Sequence, residues 1–350
     1  MTDSVIVTGA GGVGKTTLSA ALGASLAAHG KRVLVLTIDP AKRLADALGI
    51  DELGDDAQRV GGSETMWASM LDVTASWEGI VHRYAEPEVA DRLLVNNYFR
   101  AIADRFPAAQ SFAAAERMSE EIESGQYDVV VVDTPPSGGG IDFFRAPART
   151  GELISGRLLR WLTGSNIPGR SIFYRMAAKP ALKLADSVLG GPMLSDVADF
   201  LLDLRTMYDA LSRRSRTMER HLRNSTTLIA TTADPTPIAE TRRFFRELGD
   251  IEISPHSIVF NRMLPADWVD ASESHEIDTS ATGIRAVAIA NLTAWAGEAR
   301  RQADAVRELE ARYHTPVHAI PWIPHPPTDL EGLRELVEAS TISEELAAFG

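Results

Sequence analysis

Three groups of residues in this chain have types and spacings suited to phosphate chemistry. The first is Gly9-Ala10-Gly11-Gly12-Val13-Gly14-Lys15-Thr16, which matches G-x-x-x-x-G-K-[ST]. Glycines let the backbone turn tightly, so that N–H groups can point at phosphate oxygens. A helix opening near Lys15 adds the positive end of its dipole. Lys15 is placed to reach the β- and γ-phosphates of a nucleoside triphosphate, and the Thr16 hydroxyl to ligate Mg2+. Gly11, Gly12, Val13, Gly14, Lys15, Thr16 and Thr17 are therefore the expected phosphate-binding residues. An accidental glycine-rich turn is the alternative, and the strand pattern before and helix pattern after speak against it.

The second group ends the apolar run "VVVVD" at Asp133. An aspartate at the end of such a strand can hold the Mg2+ shell, directly or through water, or can merely cap a helix or turn. The following Thr134-Pro135-Pro136-Ser137-Gly138-Gly139-Gly140 joins a stiff piece to a flexible one. It reads as a connector or as a hinged loop that senses the γ-phosphate. The third group is Asp39, at the end of "LTID", with Pro40-Ala41-Lys42-Arg43 behind it. Carboxyl ends of neighbouring parallel strands line the ligand crevice of an open sheet. Asp39 can there orient or deprotonate an attacking water, and it can also cap a helix starting near Ala41. Lys42 and Arg43 are solvated helix-start charges or nucleotide-sensing groups.

These residues need a scaffold, and the apolar runs supply one. Strand patterns occur at 4–9, 31–39, 127–136, 225–232, 254–262 and 315–322. Runs apolar throughout are buried on both faces, and here they alternate with helical segments, as in a parallel α/β sheet. Residues 73–124 and 147–224 read as almost wholly helical. In 192–222 the apolar positions Leu194, Val197, Leu201, Leu204, Tyr208 and Leu211 step by three and four. Seven methionines, Met66, Met70, Met118, Met176, Met193, Met207 and Met218, fall between 62 and 225. The expected organisation is a sheet core at 1–72, 125–146 and 225–350, with an α-helical subdomain inserted at 73–124 and 147–224.

Composition narrows the chemistry. The 350 residues carry a net charge of −13, which disfavours nucleic acid and anionic membrane as broad partners. Cysteine is absent, which removes disulfides, thiolate catalysis, iron–sulfur clusters and cysteine-ligated zinc. No run of about 18 apolar residues is present, and no basic segment precedes the first apolar run, so a cytoplasmic protein without a signal peptide is expected.

Together these motifs resemble the arsenical-pump and guided-entry ATPases, a dimeric family of the deviant Walker A class. The resemblance runs through 4–48, 127–150, 225–262 and 315–340. "LTIDPAKRLADALG" followed by "VVDTPPSGGGIDFFRAPAR" is most similar to a bacterial branch that often occurs as paralogue pairs. It implies a P-loop NTPase fold with a mostly parallel central sheet flanked by helices. It implies ATP and ADP with Mg2+ as cofactors, and Asp39 and Lys15 as the catalytic residues. Thr16 and Asp133 become the Mg2+ residues, the latter through water. Asp133 through Gly138 match the family's second switch. Asn261 in "VFNR" matches the asparagine that reads adenine; from the residue alone it reads first as a turn cap and second as a ligand contact, and the resemblance reverses that order. Arg262 lies beside it, and the loop Pro321 to Pro327, with Pro324, matches the cover of the base. Glu240-Thr241 match a family pair without an assigned role.

The departures are informative. The family's signature lysine, which reaches across the dimer to the partner's phosphates, falls at Ala10. Another cation can replace it, with Lys42, Arg43, Arg145 and Arg149 nearest in sequence; a lysine-retaining paralogue can complete a mixed dimer; or hydrolysis is weak. Without cysteines, thiolate sensing of arsenite and a Cys-x-x-Cys zinc joint between subunits are both impossible. Met176, Met193, Met207 and Met218 with Phe173, Tyr174, Phe200 and Tyr208 either pack a helical core or line a groove for an apolar client. Arg213, Arg214, Arg216, Arg220 and Arg223 form a solvated face or a contact for an acidic partner or anionic lipid. The histidines show no ligand spacing; His325 lies nearest the base-covering loop. The expectation is a nucleotide-switched ATPase working as a homodimer or as a heterodimer with a paralogue, with a membrane-protein client or peripheral membrane contact. A binding-only regulatory subunit is the alternative. A partition-type ATPase ranks below both because those are compact.

Overall fold

The computed structural model describes residues 2–105, 107–135, 138–155, 193–265, 267–268 and 282–346. The chain divides into two compact units: 1–70, 121–141 and 224–350 in one, 71–120 and 142–223 in the other.

The first unit is an eight-stranded sheet. Its strands are β1 (Asp3–Gly9), β2 (Val33–Thr37), β3 (Gln58–Arg59), β4 (Met66–Met70), β5 (Val129–Asp133), β6 (Thr226–Thr231), β7 (Ser257–Met263) and β8 (Val317–Pro321). They lie in the order β3-β4-β2-β5-β1-β6-β7-β8. Every pairing is parallel except the short β3–β4 contact. All of β2 and β5 and nearly all of β1 and β6 are buried, as apolar strands covered on both faces must be. The edge strand β8 is mostly half-buried.

Two of these strands escape the sequence patterns. Met66–Met70, "MWASM", contains no β-branched residue, yet it pairs in parallel with β2 across its full length. Met66 and Met70 therefore belong to the sheet. Met66 is completely buried.

Helix α1 (Lys15–Ala28) follows β1 and is buried along most of its length. It packs beside α12 (Leu330–Glu338) and α2 (Arg43–Leu48) over one face of the sheet. On the other face, α10 (Pro235–Gly249) and α11 (Gly283–Tyr313) close over Ile258, Phe260 and Val317. The carboxyl ends of β1, β2 and β5 thus open onto one edge, where an open parallel sheet holds its ligands.

The second unit is helical. Residues 73–124 fold as α3 (Val73–Tyr84), α4 (Pro87–Val95), α5 (Asn97–Arg105) and α6 (Pro107–Ser124). Pro87 and Pro107 each open a helix, because proline lacks the N–H that a helix interior needs. After α7 (Gly138–Ser155) come α8 (Met193–Thr206) and α9 (Tyr208–Asn224). Trp77 stacks on Phe112 at 5.5 Å, meets Phe99 edge-on at 6.1 Å and donates its indole N–H to the Ala109 carbonyl. Met118, Met207 and Met218 are fully buried and Phe200 is nearly so, so these side chains pack the interior of the unit. Tyr208 is half-buried, while Phe173, Tyr174 and Met176 lie outside the described residues. Among the described residues no helix is long and apolar enough to cross a membrane.

Candidate functional site

The loop from Gly9 to Gly14 leaves β1 between its two neighbours, β5 and β6. Gly9 has φ of 145°, and a Cβ there would stand 2.2 Å from the Ala230 carbonyl oxygen, so only glycine fits. Gly14 caps α1 in the left-handed region at φ 92° and, being glycine, offers no side-chain cap to the first-turn N–H groups. Those amides are left for a ligand, as an anion site at a helix N-terminus requires. Gly11 and Gly12 are exposed, Val13 is buried, and Thr16 and Thr17 are half-buried at the helix start.

Lys15 is only 7% exposed. Its ammonium donates to the Gly9 carbonyl at 3.1 Å and the Ala10 carbonyl at 2.9 Å. Burial lowers its pKa, while the carboxylates of Asp133 and Asp39 act in the opposite sense. The amine is thus folded onto its own loop by neutral acceptors, in a surrounding that favours an added anion. Glu240 on α10 also acts on Lys15 through its charge, and its Oε2 is buried with no hydrogen-bond partner. Sequence reasoning gave Glu240 no role, since a helix-face glutamate carries no signal of what it faces.

Asp133 is completely buried. Its Oδ2 accepts from the Thr16 hydroxyl at 2.8 Å and from the Thr37 hydroxyl at 3.0 Å, while Oδ1 has no partner. Burial pushes its pKa up to about 6, and the two hydroxyl donors and the Lys15 charge only partly offset this. An orphaned, buried carboxylate oxygen beside a threonine hydroxyl suits a hydrated cation. Among the described residues no group of three His, Asp or Glu side chains is gathered to hold a metal alone.

Asp39 reaches neither Asp133 nor Lys15 by hydrogen bond. Its Oδ1 accepts from the Ala41 N–H at 3.0 Å, and its Oδ2 lies 3.4 Å from the Arg43 guanidinium. The bond to Ala41 closes a tight turn rather than a helix cap, because α2 begins only at Arg43 with Lys42 at its cap position. Lys42 is exposed, and Arg149 is bonded to Asp142 within the helical unit. Ala10 is 4% exposed and packed in the hydrophobic cluster around α1. In the loop after Asp133, the N–H and hydroxyl of Thr134 both donate to the Val7 carbonyl; Pro136 and Ser137 lie outside the described residues.

A cleft of about 140 Å³ runs beside the phosphate loop, lined by Gly14, Thr17, Asn261, Arg262, Pro321, Trp322 and neighbours. The Asn261 amide donates to the Val13 carbonyl at 2.8 Å, and its oxygen accepts from the Arg262 N–H at 2.9 Å. A Cβ on Gly14 would meet that amide nitrogen at 2.3 Å, so the Asn261 side chain would have to shift to admit one. Arg262 has φ of 61°, in a bulge where two residues of β7 oppose one of β8. Left-handed backbone is costly for arginine, and strain of this kind clusters at functional sites. The covering loop meets the cleft through Pro321, Trp322, Ile323, Pro326 and Pro327; Pro324 and His325 are exposed and do not line it.

Comparison with known proteins adds an independent finding. Residues 2–279 match the sequence model of a family described as anion-transporting ATPase. The chain is 27% identical over 261 residues to "ATPase GET3" of Rhodotorula glutinis, covering 74% of this chain and 70% of that protein. It is 27% identical over 270 residues to "ATPase GET3" of Podospora anserina, at 74% and 73% coverage. The protein of the same name from Mycosarcoma maydis is 27% identical over 262 residues, at 74% and 72%.

Proposed function

The chain belongs to the anion-transporting ATPase family, and from that premise we propose that it is a Mg2+-dependent ATPase acting as a dimeric nucleotide switch. The observation that carries this reading is the pairing of Lys15, bonded only to loop carbonyls, with Asp133, whose Oδ1 is buried and unpartnered beside Thr16. Both groups are short of a counter-charge that a metal–triphosphate would supply.

In the proposed cycle the α1 N–H groups and Lys15 take the phosphates, with Lys15 turning away from Gly9 and Ala10. Mg2+, when bound, neutralises charge on the phosphate oxygens. Thr16 and Asp133 hold its shell, Asp39 orients the attacking water, and Asn261 and Arg262 face the base. Asp39 must first release Ala41 or Arg43, which makes rearrangement of this segment part of the cycle. The helical unit is proposed to read the nucleotide state and to bind a client or partner, as the guided-entry resemblance suggests. Isothermal calorimetry with Mg-ATP and phosphate release by the purified chain test the reading, with Lys15→Ala as the blank. Release no faster than the blank, together with no heat of binding, removes it. Sedimentation with and without ATP tests the dimer.

A second reading rests on Ala10. Its side chain adds no positive charge to a partner's transition state, where such charge is worth several kcal/mol. A regulatory subunit with little turnover, completed by a lysine-retaining paralogue, accounts for that. Turnover by the isolated chain well above the blank decides against it.

A further inference from the structure

Thr37 ends β2 and in the sequence reads as one more β-branched strand residue. The parallel register sets it opposite Asp133, and its side chain is 1% exposed. Its hydroxyl donates to Asp133 Oδ2 at 3.0 Å and accepts from the Asp39 N–H at 3.3 Å. A threonine hydroxyl has one donor and two lone pairs, so both bonds are made at once. The backbone ladder cannot replace this link. It extends one residue past β2, from the Ile38 N–H to the Asp133 carbonyl, and stops short of Asp39.

Resting on the ATPase reading above, we propose that Thr37 is a positioning residue that ties the Asp133 carboxylate to the backbone of Asp39, so that a shift of either is passed to the other. Two hydroxyls, from Thr16 and Thr37, fix the Asp133 carboxylate by one oxygen and thereby set the direction of the free Oδ1. Removal of Thr37 leaves one donor, and the carboxylate can turn. The same removal takes the acceptor from the Asp39 N–H, at the start of the segment whose side chain holds Ala41 and Arg43. The hydroxyl thus joins the proposed metal side of the site to the proposed water side without touching either ligand.

The test compares Thr37→Val, which keeps shape and deletes the hydroxyl, with Thr37→Ser, which restores it. In nucleotide-free protein, amide exchange over residues 38–41 is expected to be faster in Thr37→Val and near wild type in Thr37→Ser. With Mg-ATP, Thr37→Val is expected to bind within about threefold of wild type while kcat falls by about tenfold or more, the scale of a misplaced group. Thr37→Ser should recover kcat to within about threefold. Should Thr37→Val fail to fold, Thr37→Ala carries the same readouts. Unchanged exchange in a folded hydroxyl-free variant overturns the tether. Wild-type kcat in that variant overturns its role in turnover. A wild-type chain that releases no phosphate above the Lys15→Ala blank sinks the ATPase reading and the catalytic role with it, and the exchange arm, which needs no nucleotide, still decides the tether.

Discussion

Asp133 in the sheet unit and Glu116 in the helical unit are both carboxylates shut away from solvent, at 0% and 1% exposure, but their surroundings are built differently. Glu116 is fully served. Its Oε1 accepts from Arg83 and from the Tyr84 hydroxyl, each at 3.1 Å, and its Oε2 accepts from Arg214 at 2.5 Å. Arg83 also reaches Glu120. Burial still raises the Glu116 pKa, with the Arg214 guanidinium acting against it. Asp133 has two neutral hydroxyls on one oxygen and nothing on the other. A buried charge with all its partners holds helices together. A buried charge lacking partners is a place prepared for something else. On the proposed function, the physical difference between scaffold and site lies in which oxygens are occupied.

Mutation should separate the two most strongly at Glu116. Glu116→Ala strands Arg214, whose side chain is 10% exposed, without its carboxylate. Breaking a buried pair from one side costs about 3–5 kcal/mol, and urea unfolding is expected to show a loss of that order. A loss below about 1 kcal/mol would mean that Glu116 is no better held than a surface pair, and the contrast with Asp133 would fail.

Asp133→Asn should give the opposite signature. Its carboxyl has a raised pKa, so the fold disfavours the ionised form, and at pH 7.5 the neutral amide relieves that cost. Nucleotide-free Asp133→Asn is expected to melt no lower than wild type. Its Mg2+-dependent phosphate release is expected to fall by about 100- to 1,000-fold, the range for one removed electrostatic contact at a transition state. A lower melting temperature with intact turnover would make Asp133 a structural residue like Glu116.

The same distinction explains what was legible in the sequence. Backbone requirements leave strong traces: the loop glycines and the apolar strands announce themselves by residue type and spacing. Strand β4 was hidden because "MWASM" has no β-branched run, and its burial depends on what packs over it rather than on propensity. Thr37 was hidden because a threonine ending a strand looks the same whether or not its hydroxyl reaches across to the next one. The methionines were legible as apolar but not as core or groove; Met118, Met207 and Met218 prove to be core. Asp39 reads in the sequence as the last residue of its strand, but β2 ends two residues earlier at Thr37, and the engagement of Asp39 with Ala41 and Arg43 depends on a turn that residue spacing does not encode.

A smaller effect is expected at Asn261, which is partnered on both ends of its amide yet lines the cleft. Asn261→Ala removes the hydrogen bond to the Val13 carbonyl, the one accepted from the Arg262 N–H and, on the proposed role, one contact to the base. Mg-ATP affinity by calorimetry is expected to drop by about tenfold, close to one net hydrogen bond of about 1.4 kcal/mol, with a smaller preference for ATP over GTP. Unchanged affinity and preference would leave Asn261 as a clamp on the loop and nothing more.

The smallest effect belongs to the other end of the strand that carries Asp133. Asp128, just before β5, is an exposed carboxylate held by the Arg32 guanidinium at 2.7 Å and by the Arg32 backbone N–H at 2.8 Å. Those bonds lower its pKa to about 2, whereas burial five residues on raises that of Asp133 to about 6. A depressed carboxyl stabilises the fold where it is ionised in both states, and it loses that contribution as pH falls from about 4 toward 2. Solvent screens this pair, so the contribution is small. In thermal melts the gap between wild type and Asp128→Asn should therefore be slight and constant above about pH 5, close between about pH 4 and 2, and shrink in high salt. A gap that widened on acidification would mean that Asp128 is held by burial, as Asp133 is, and that the two ends of β5 do not differ in kind.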